Sequence, residues 1–279
     1  MIRWVSPSNS LEVSKYIDAY WYLERPAELK NTVRPKLSPH PAAHLIFSAP
    51  NEVHHYETKD NSYVVSGSHW VYPHSQTLEL DHAKYFSCLG VKFKVGALYS
   101  LKEIGFSQIV LNTVEGLDFD SYDWCSVNSV LELLSQVKLG ADQCVMSLDE
   151  FFLRFLSNCH EDKHSEITRR AIPMLSHVSV SELSENLFCS QRTLERSFSK
   201  VTGLTLKQCQ SMLKLDVILE HLYQREQSEI NWVDLAFQFG FSDQPHFIRY
   251  LKQHINLTPR SYVQERGFTI DVYGGVEGQ

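Results

Sequence analysis

The sequence predicts an α+β chain: a β-rich, barrel-like N-terminal domain with flanking helices, then an all-α C-terminal domain. Three observations carry this. Up to about residue 112 the chain runs through short β-branched and aromatic stretches punctuated by Pro, Gly, Asn and Asp. From about 126 the apolar period changes to that of a helix. Beyond about 166, a pattern of caps, apolar pairs and arginines occurs twice, 53 residues apart.

A length of 279 residues suggests two domains. With 43% hydrophobic and 21% charged residues the composition is globular, which excludes collagen-like and disordered classes. Such a chain buries its cores without disulfide staples. No run approaches the roughly 20 apolar residues that span a bilayer, so no membrane partner is expected. The start, MIRWVSPSNSLEV, lacks a charged segment followed by an apolar one, and a cytoplasmic location is expected. The six cysteines stand singly, which excludes CxxC metal or redox motifs and fits reduced, mostly buried thiols. The net charge is −7, of which residues 1–164 carry −6 and residues 165–279 carry −1. That argues against a polybasic coat on nucleic acid, but not against a small local basic face.

In the N-terminal part, residues 44–49, 62–67, 77–82 and 84–95 read as strands. A helix is expected over 10–22, capped by Ser10, with Leu11, Val13, Ile17 and Tyr20 on its apolar side. Further on, Val127, Leu131, Leu134 and Val137 lie on one helical face, and Leu148, Phe151, Phe152 and Phe155 form a second stripe after a break at Gly140. This helical pair, about 126–158, serves as core or as the face of a homodimer. The polar stretch 160–165 reads as a bridge. The domains are therefore placed at 1–160, for sensing or dimerisation, and 166–266, with 267–279 a C-terminal tail.

The repeat is the informative feature. Residues 190–207, SQRTLERSFSKVTGLTLK, match 243–260, DQPHFIRYLKQHINLTPR, at Gln191/Gln244, Arg196/Arg249, Leu204/Leu257 and Thr205/Thr258. Ser190 and Asp243 are cap residues that open a helix. Leu194 with Phe198, and Phe247 with Leu251, are i,i+4 pairs for a buried face. Gly203 and Asn256 are the types most at ease in the left-handed conformation that ends a helix. Thr205 and Thr258 cap the next helix, and Pro259 suits a first helical position. Ahead of each unit, Val180, Leu183 and Leu187 match Trp232, Leu235 and Phe239, giving a short helix and a tight turn. Each unit is thus a helix-turn-helix, and a helix over about 205–223 joins them.

At 100° per residue, Arg192 and Arg196 turn away from Leu194, as Pro245 and Arg249 do from Phe247, with His246 and Lys252 beside them. Two second helices presenting arginine opposite a buried face suit reading of double-stranded DNA in the major groove. Arginine pairs bidentately with guanine or grips phosphate. The DNA-contacting candidates are Gln191, Arg192, Thr193 and Arg196 in the first unit, and Gln244, Pro245, His246, Arg249 and Lys252 in the second.

Residues 166–266 resemble the DNA-binding domain of the AraC/XylS family. The segments that carry the resemblance are GFSDQPHF (240–247), TPRSY (258–262) and SQRTLERSF (190–198). Ser184, Leu206 and Lys214 depart from the family pattern, all off the reading faces. The resemblance implies a cytoplasmic transcription regulator, an activator because activation is common in the family, with RNA polymerase as a partner. The N-terminal part resembles the β-rich, cupin-like sensor domains of one subgroup through residues 7–24, the 44–47 strand and GVKFKVGAL (90–98). In that last segment Lys92 and Val95-Gly96-Ala97 depart from the pattern. A small-molecule effector is compatible with it, but its identity is not implied.

Seven of 13 histidines fall between 40 and 82: His40, His44, His54, His55, His69, His74 and His82. They read as surface and loop histidines. Metal or pH sensing is the sharper alternative, but no carboxylate joins them at a diagnostic spacing, and no metal or cofactor is assigned. Trp4, Tyr16, Tyr20, Trp21, Tyr22, Trp70 and Tyr72 form core or line an apolar pocket. No phosphate loop, GxSxG or HExxH occurs, and no cysteine has the setting of a methyl-transfer repair centre, so no enzymatic activity is expected. The alternatives are an effector-responsive repressor of the same fold, and a metal- or ligand-binding protein whose helical domain serves protein interaction.

Overall fold

The computed structural model describes residues 2–25, 36–81, 86–101, 110–119, 125–156, 159–175, 178–225 and 230–265. The tail at 267–279 and His82 lie outside them.

The strands are β1 (Ile2–Ser6), β2 (Ile17–Arg25), β3 (Lys36–Leu37), β4 (His44–Ser48), β5 (Val53–Glu57), β6 (Ser62–Ser66), β7 (His69–Val71), β8 (Leu78–Asp81), β9 (Phe86–Phe93) and β10 (Val114–Gly116). They form a six-stranded sheet, β1-β2-β9-β4-β7-β10, and a four-stranded sheet, β3-β8-β5-β6. All the named pairs are antiparallel. The larger sheet is covered on both faces, which explains its nearly continuous apolar runs. Trp21, Leu23, Ile46, Val71 and Cys88 face Tyr56, Leu78 and Leu80 of the smaller sheet. Their neighbours Tyr20, Leu45, Phe47, Trp70, Leu89 and Val91 pack against α2 (Val127–Gln136) and α3 (Ala141–Leu156). Gly90 is where Trp21 lies flat on β9: a Cβ there would come within 1.9 Å of the indole. A single turn, α1 (Ala97–Ser100), comes after β9.

The rest of the described chain is helical. Its helices are α4 (Lys163–Ala171), α5 (Val180–Asn186), α6 (Gln191–Thr202), α7 (Leu206–Tyr223), α8 (Trp232–Gln238), α9 (Gln244–Ile255) and α10 (Pro259–Glu265). Among the described residues no helix is long and apolar enough to cross a membrane.

Four expectations need correction. The helix over 10–22 is instead a 3-10 turn at Val13–Lys15 followed by β2. The buried Asp149 carboxylate of α3 accepts from the Ser10 and Asn9 amides, at 3.0 and 2.9 Å, and from the Tyr20 hydroxyl at 2.8 Å. Ser10 is thus fixed to another helix, and the Ile-Asp-Ala-Tyr-Trp-Tyr run pairs with β9, which suits β-branched and aromatic residues.

On α2 the buried face is Val130 and Leu133, with Val137 just beyond, while Val127 and Leu131 are exposed. Both stripes are apolar, so the period alone does not choose between them; contact with the sheet does. The polar bridge at 160–165 already starts a helix, because the Asp162 side chain accepts from His164 and Ser165 amides at 2.8 and 2.9 Å.

The histidines are not surface residues as a group. His40, His54, His69 and His74 are buried. Among the described residues no group of three or more His, Cys, Asp or Glu is placed to hold a metal.

Candidate nucleic-acid interface

Helices α6 and α9 are each built as their sequence dictates. In the first unit Ser190 Oγ accepts from the Thr193 amide at 3.2 Å; in the second, Asp243 Oδ1 accepts from the His246 amide at 2.7 Å. That last bond holds the Asp243 carboxyl below its usual range. Leu194, Phe198 and Val201 of α6 are buried, as are Phe247, Leu251 and Ile255 of α9. Gly203 and Asn256 end the two helices with φ of 71° and 58°. Thr205 Oγ1 then caps α7 by accepting from the Gln208 amide at 3.2 Å, and Thr258 Oγ1 caps α10 by accepting from Ser261 at 3.1 Å.

The opposite faces are open. Gln191, Arg192 and Arg196 are exposed on α6; Pro245, His246, Arg249 and Lys252 are exposed on α9. Among the described residues, Arg192, Arg196 and Arg249 form no salt bridge. Their guanidinium groups are therefore available to an outside acceptor. Three other candidates are already engaged within the fold. Thr193 is half-buried, with its hydroxyl 2.8 Å from Ser190 Oγ. Gln191 donates to Glu195 Oε1 at 3.2 Å. The His246 ring stands edge-on to Phe241. Gln244 is half-buried.

Helix α7 joins the units. Leu206, Cys209 and Met212 belong to the apolar core of the first, Leu215, Ile218, Leu219 and Leu222 to that of the second. Midway, Ser211 sits 3.0 Å from His254 Nε2 and takes a hydrogen bond on its carbonyl from the Tyr250 hydroxyl. Lys214 places its ammonium 3.9 Å above the Phe241 ring, and burial lowers its pKa.

In the N-terminal domain the space between the sheets is small. A cavity of about 40 Å³ is lined by Trp21, Leu37, Ile46, Leu80 and Phe86, with His44, His54 and Tyr56 as its polar groups. A cavity of that size holds a water or two. Of the seven early aromatics only Trp21 lines it; Tyr16, Tyr20, Trp70 and Tyr72 are core. Burial lowers His54, His69 and His74 to about 4, 3 and 4. Each imidazole nonetheless has a fixed partner. The Tyr56 hydroxyl donates to His69 Nε2 at 2.6 Å while His69 Nδ1 faces the Gly67 carbonyl at 2.8 Å. His54 Nε2 lies 2.9 Å from Ser48 Oγ, and His74 Nδ1 lies 3.2 Å from the Tyr72 carbonyl.

Sequence reading missed the groups that tie the domains together, because their partners lie far away along the chain. Tyr99 and Lys200 both donate to Asp162 Oδ2, at 2.7 and 2.9 Å. Burial pushes that carboxyl up, but these bonds and its cap contacts outweigh it and leave it low. His40 Nε2 lies 3.4 Å from Asp216 Oδ2 on α7, and Thr77 donates to the His254 carbonyl of α9 at 3.1 Å.

Comparison with known proteins places both parts of the chain. Residues 183–265 match the family described as a helix-turn-helix domain, and residues 4–115 match a domain of unknown function, DUF6597. The HTH-type transcriptional activator RhaS of Escherichia coli (strain SE11) is 34% identical over 89 residues. That alignment covers 32% of this chain and 31% of RhaS, so the chain spans about a third of the length of the curated relative it matches. The structure of ToxT from Vibrio cholerae aligns over 88% of this chain and 98% of its own, with 12% identity and a TM-score of 0.49. An AraC-type regulator from Chromobacterium violaceum aligns over 37% of this chain and 91% of its own, with 26% identity and a TM-score of 0.32. The C-terminal domain is a helix-turn-helix domain of the AraC type.

Proposed function

We propose that the protein is a sequence-specific DNA-binding transcription regulator, an activator, whose helices α6 and α9 read successive major grooves. One observation carries this reading. Two helices built on the same cap, core pair and left-handed terminus each expose an arginine at the corresponding position, Arg196 and Arg249. Duplication of the fold alone needs the buried pairs and caps; it does not need the arginines. RhaS, which matches this region, is an HTH-type transcriptional activator.

In this reading double-stranded DNA is the partner of the C-terminal domain, with RNA polymerase recruited to it in the cytoplasm, and the chain has no catalytic role. A small-molecule effector acts between the two sheets, which must part to admit it. The exposed Val127 and Leu131 of α2 are where a second copy would dock. Residues 166–279 fold as a unit by themselves, on the two cores that α7 joins.

The test is a mobility shift on duplexes selected from random sequence by the full chain. Wild type should protect a non-palindromic site of roughly two turns per monomer, with half-sites about 10 bp apart. Arg196→Ala and Arg249→Ala should each weaken binding while leaving the fold intact. Normal binding by both folded variants would remove DNA reading from these helices.

A further inference from the structure

The two helix-turn-helix units have separate cores, and α7 is the shared element between them. Their mutual angle therefore depends on α7 and on whatever else spans both. The N-terminal domain does span both. It meets the end of α6 through Tyr99, Asp162 and Lys200, and through Gly96, where a Cβ would lie 2.6 Å from the Val201 side chain. It meets the second half of α7 through His40 and Asp216, and the last turn of α9 through Thr77 and the His254 carbonyl.

The His40 contact is rigidly held. The Ala42 amide donates to His40 Nδ1 at 3.0 Å, so the ring proton sits on Nε2 and points to the Asp216 carboxylate. The His40 backbone is bridged to His74 by two hydrogen bonds of 3.0 and 3.1 Å, and Thr77 comes three residues later in the same segment. One stretch of the sensor, 72–77, thus backs both contacts. That stretch is itself fixed: the Asn112 amide donates to the Pro73 carbonyl at 2.8 Å, and Ser75 donates to Asn112 Oδ1.

These contacts avoid the reading faces. Lys200 and Val201 lie in the last turn of α6 and His254 in the last turn of α9, whereas Arg192, Arg196 and Arg249 remain exposed. A domain that blocked DNA by covering it would bury those arginines. We propose that His40 and Thr77 are positioning residues: through Asp216 and the His254 carbonyl they brace the second unit against the first and set the angle between the two reading helices. The brace pre-organises the pair for half-sites of one spacing, so its loss costs affinity and spacing selectivity together. This rests on the two-unit reading above.

The experiment uses full-length protein and the duplex selected by wild type, with one or two base pairs added or removed between half-sites. Each base pair rotates one half-site by about 34–36° relative to the other. Wild type should lose at least about tenfold in affinity at a one-base-pair change. The variant carrying His40→Ala and Thr77→Val should bind the parental duplex several-fold more weakly and vary little across the spacing series. His40→Gln, whose amide N–H can still reach Asp216, should restore the spacing profile. Asp216→Ala tests the same contact from α7 and, added to His40→Ala, should cause no further loss. A single half-site should bind wild type and variants equally. A spacing profile unchanged in both His40→Ala/Thr77→Val and Asp216→Ala would overturn the brace, as would tighter binding by either, since the contacts would then restrain DNA binding. Indifference of wild type itself to spacing would overturn the two-unit reading, and the brace with it.

Discussion

In the first unit the turn before α6 holds Phe188 at φ 51° with 93% of its surface exposed. In the second the corresponding residue is Gly240, at φ 69°, and the aromatic comes one residue later as Phe241, which is buried. There it packs on Phe247 and Tyr250, beneath Lys214. The first unit fills the matching place with the smaller, partly buried Cys189. Caps, buried pairs and exposed arginines are thus kept in both copies, while the turn is not. The duplication preserves what the core needs and what an outside partner would touch; the turn, which serves neither in the same way, has diverged. The attachments differ too, since α6 is anchored through the Asp162 carboxylate and α9 through one backbone carbonyl.

Acid should act most strongly on that difference in attachment. His54, His69 and His74 are neutral in the fold, with pKa values lowered by burial to about 4, 3 and 4. The unfolded chain binds their protons near pH 6.5, so their contribution is complete above that pH. It declines as pH falls towards about 4, because each tenfold difference in proton affinity between folded and unfolded chain is worth about 1.4 kcal/mol. Acid should therefore unfold the sheets first, by several kcal/mol. Hydrogen exchange measured from pH 7 to 4 should show α6 losing protection with the sheets while α9 keeps it longer. Simultaneous loss in both helices would erase the distinction between anchored and lightly held units.

Next come the two cores. Phe247→Ala should cost about 3–5 kcal/mol and Leu194→Ala about 2–5 kcal/mol, because both side chains are fully buried. Urea unfolding gives the sizes, and exchange protection should fall mainly in the unit that carries the change. Spread of either effect evenly across both units would show one cooperative core.

For DNA, an arginine that reads guanine should cost about 1–3 kcal/mol on removal and relax preference at one base pair. One that grips phosphate should weaken all sequences alike and make the salt dependence shallower. Binding titrations of Arg196→Ala and Arg249→Ala at several salt concentrations tell whether the two units play the same part. The smallest effects lie at the turns. Gly240→Ala should destabilise by about 1 kcal/mol through backbone strain alone, since no neighbour lies within 4 Å. Phe188→Gly relieves the same strain and should stay within about 1 kcal/mol of wild type by thermal melting. A large loss would mean that Phe188 packs on something in solution.

The helical half was legible because its signals are local. Ser190, Asp243, Thr205 and Thr258 cap from side chain to backbone three residues on, and Gly203 and Asn256 end helices by their own φ. The open faces follow from those helices and a 100° turn per residue, so the exposure of Arg192, Arg196, Arg249 and Lys252 is readable from sequence. The sheet half was legible only in part. Strands at 44–48, 62–66, 78–81 and 86–93 announced themselves, but β2 looked helical. Its fate depended on Asp149 and on pairing with β9, each more than 60 residues away.

The two helix-turn-helix units, their caps and their exposed arginines were already specified in the sequence, because they depend on contacts within a turn or two of helix. Only packing could settle which stripe of α2 is buried, which histidines lose water, and how the N-terminal domain grips α7 and α9. Those outcomes depend on which surfaces meet, and neither the period of a helix nor the spacing of histidines encodes the other partner.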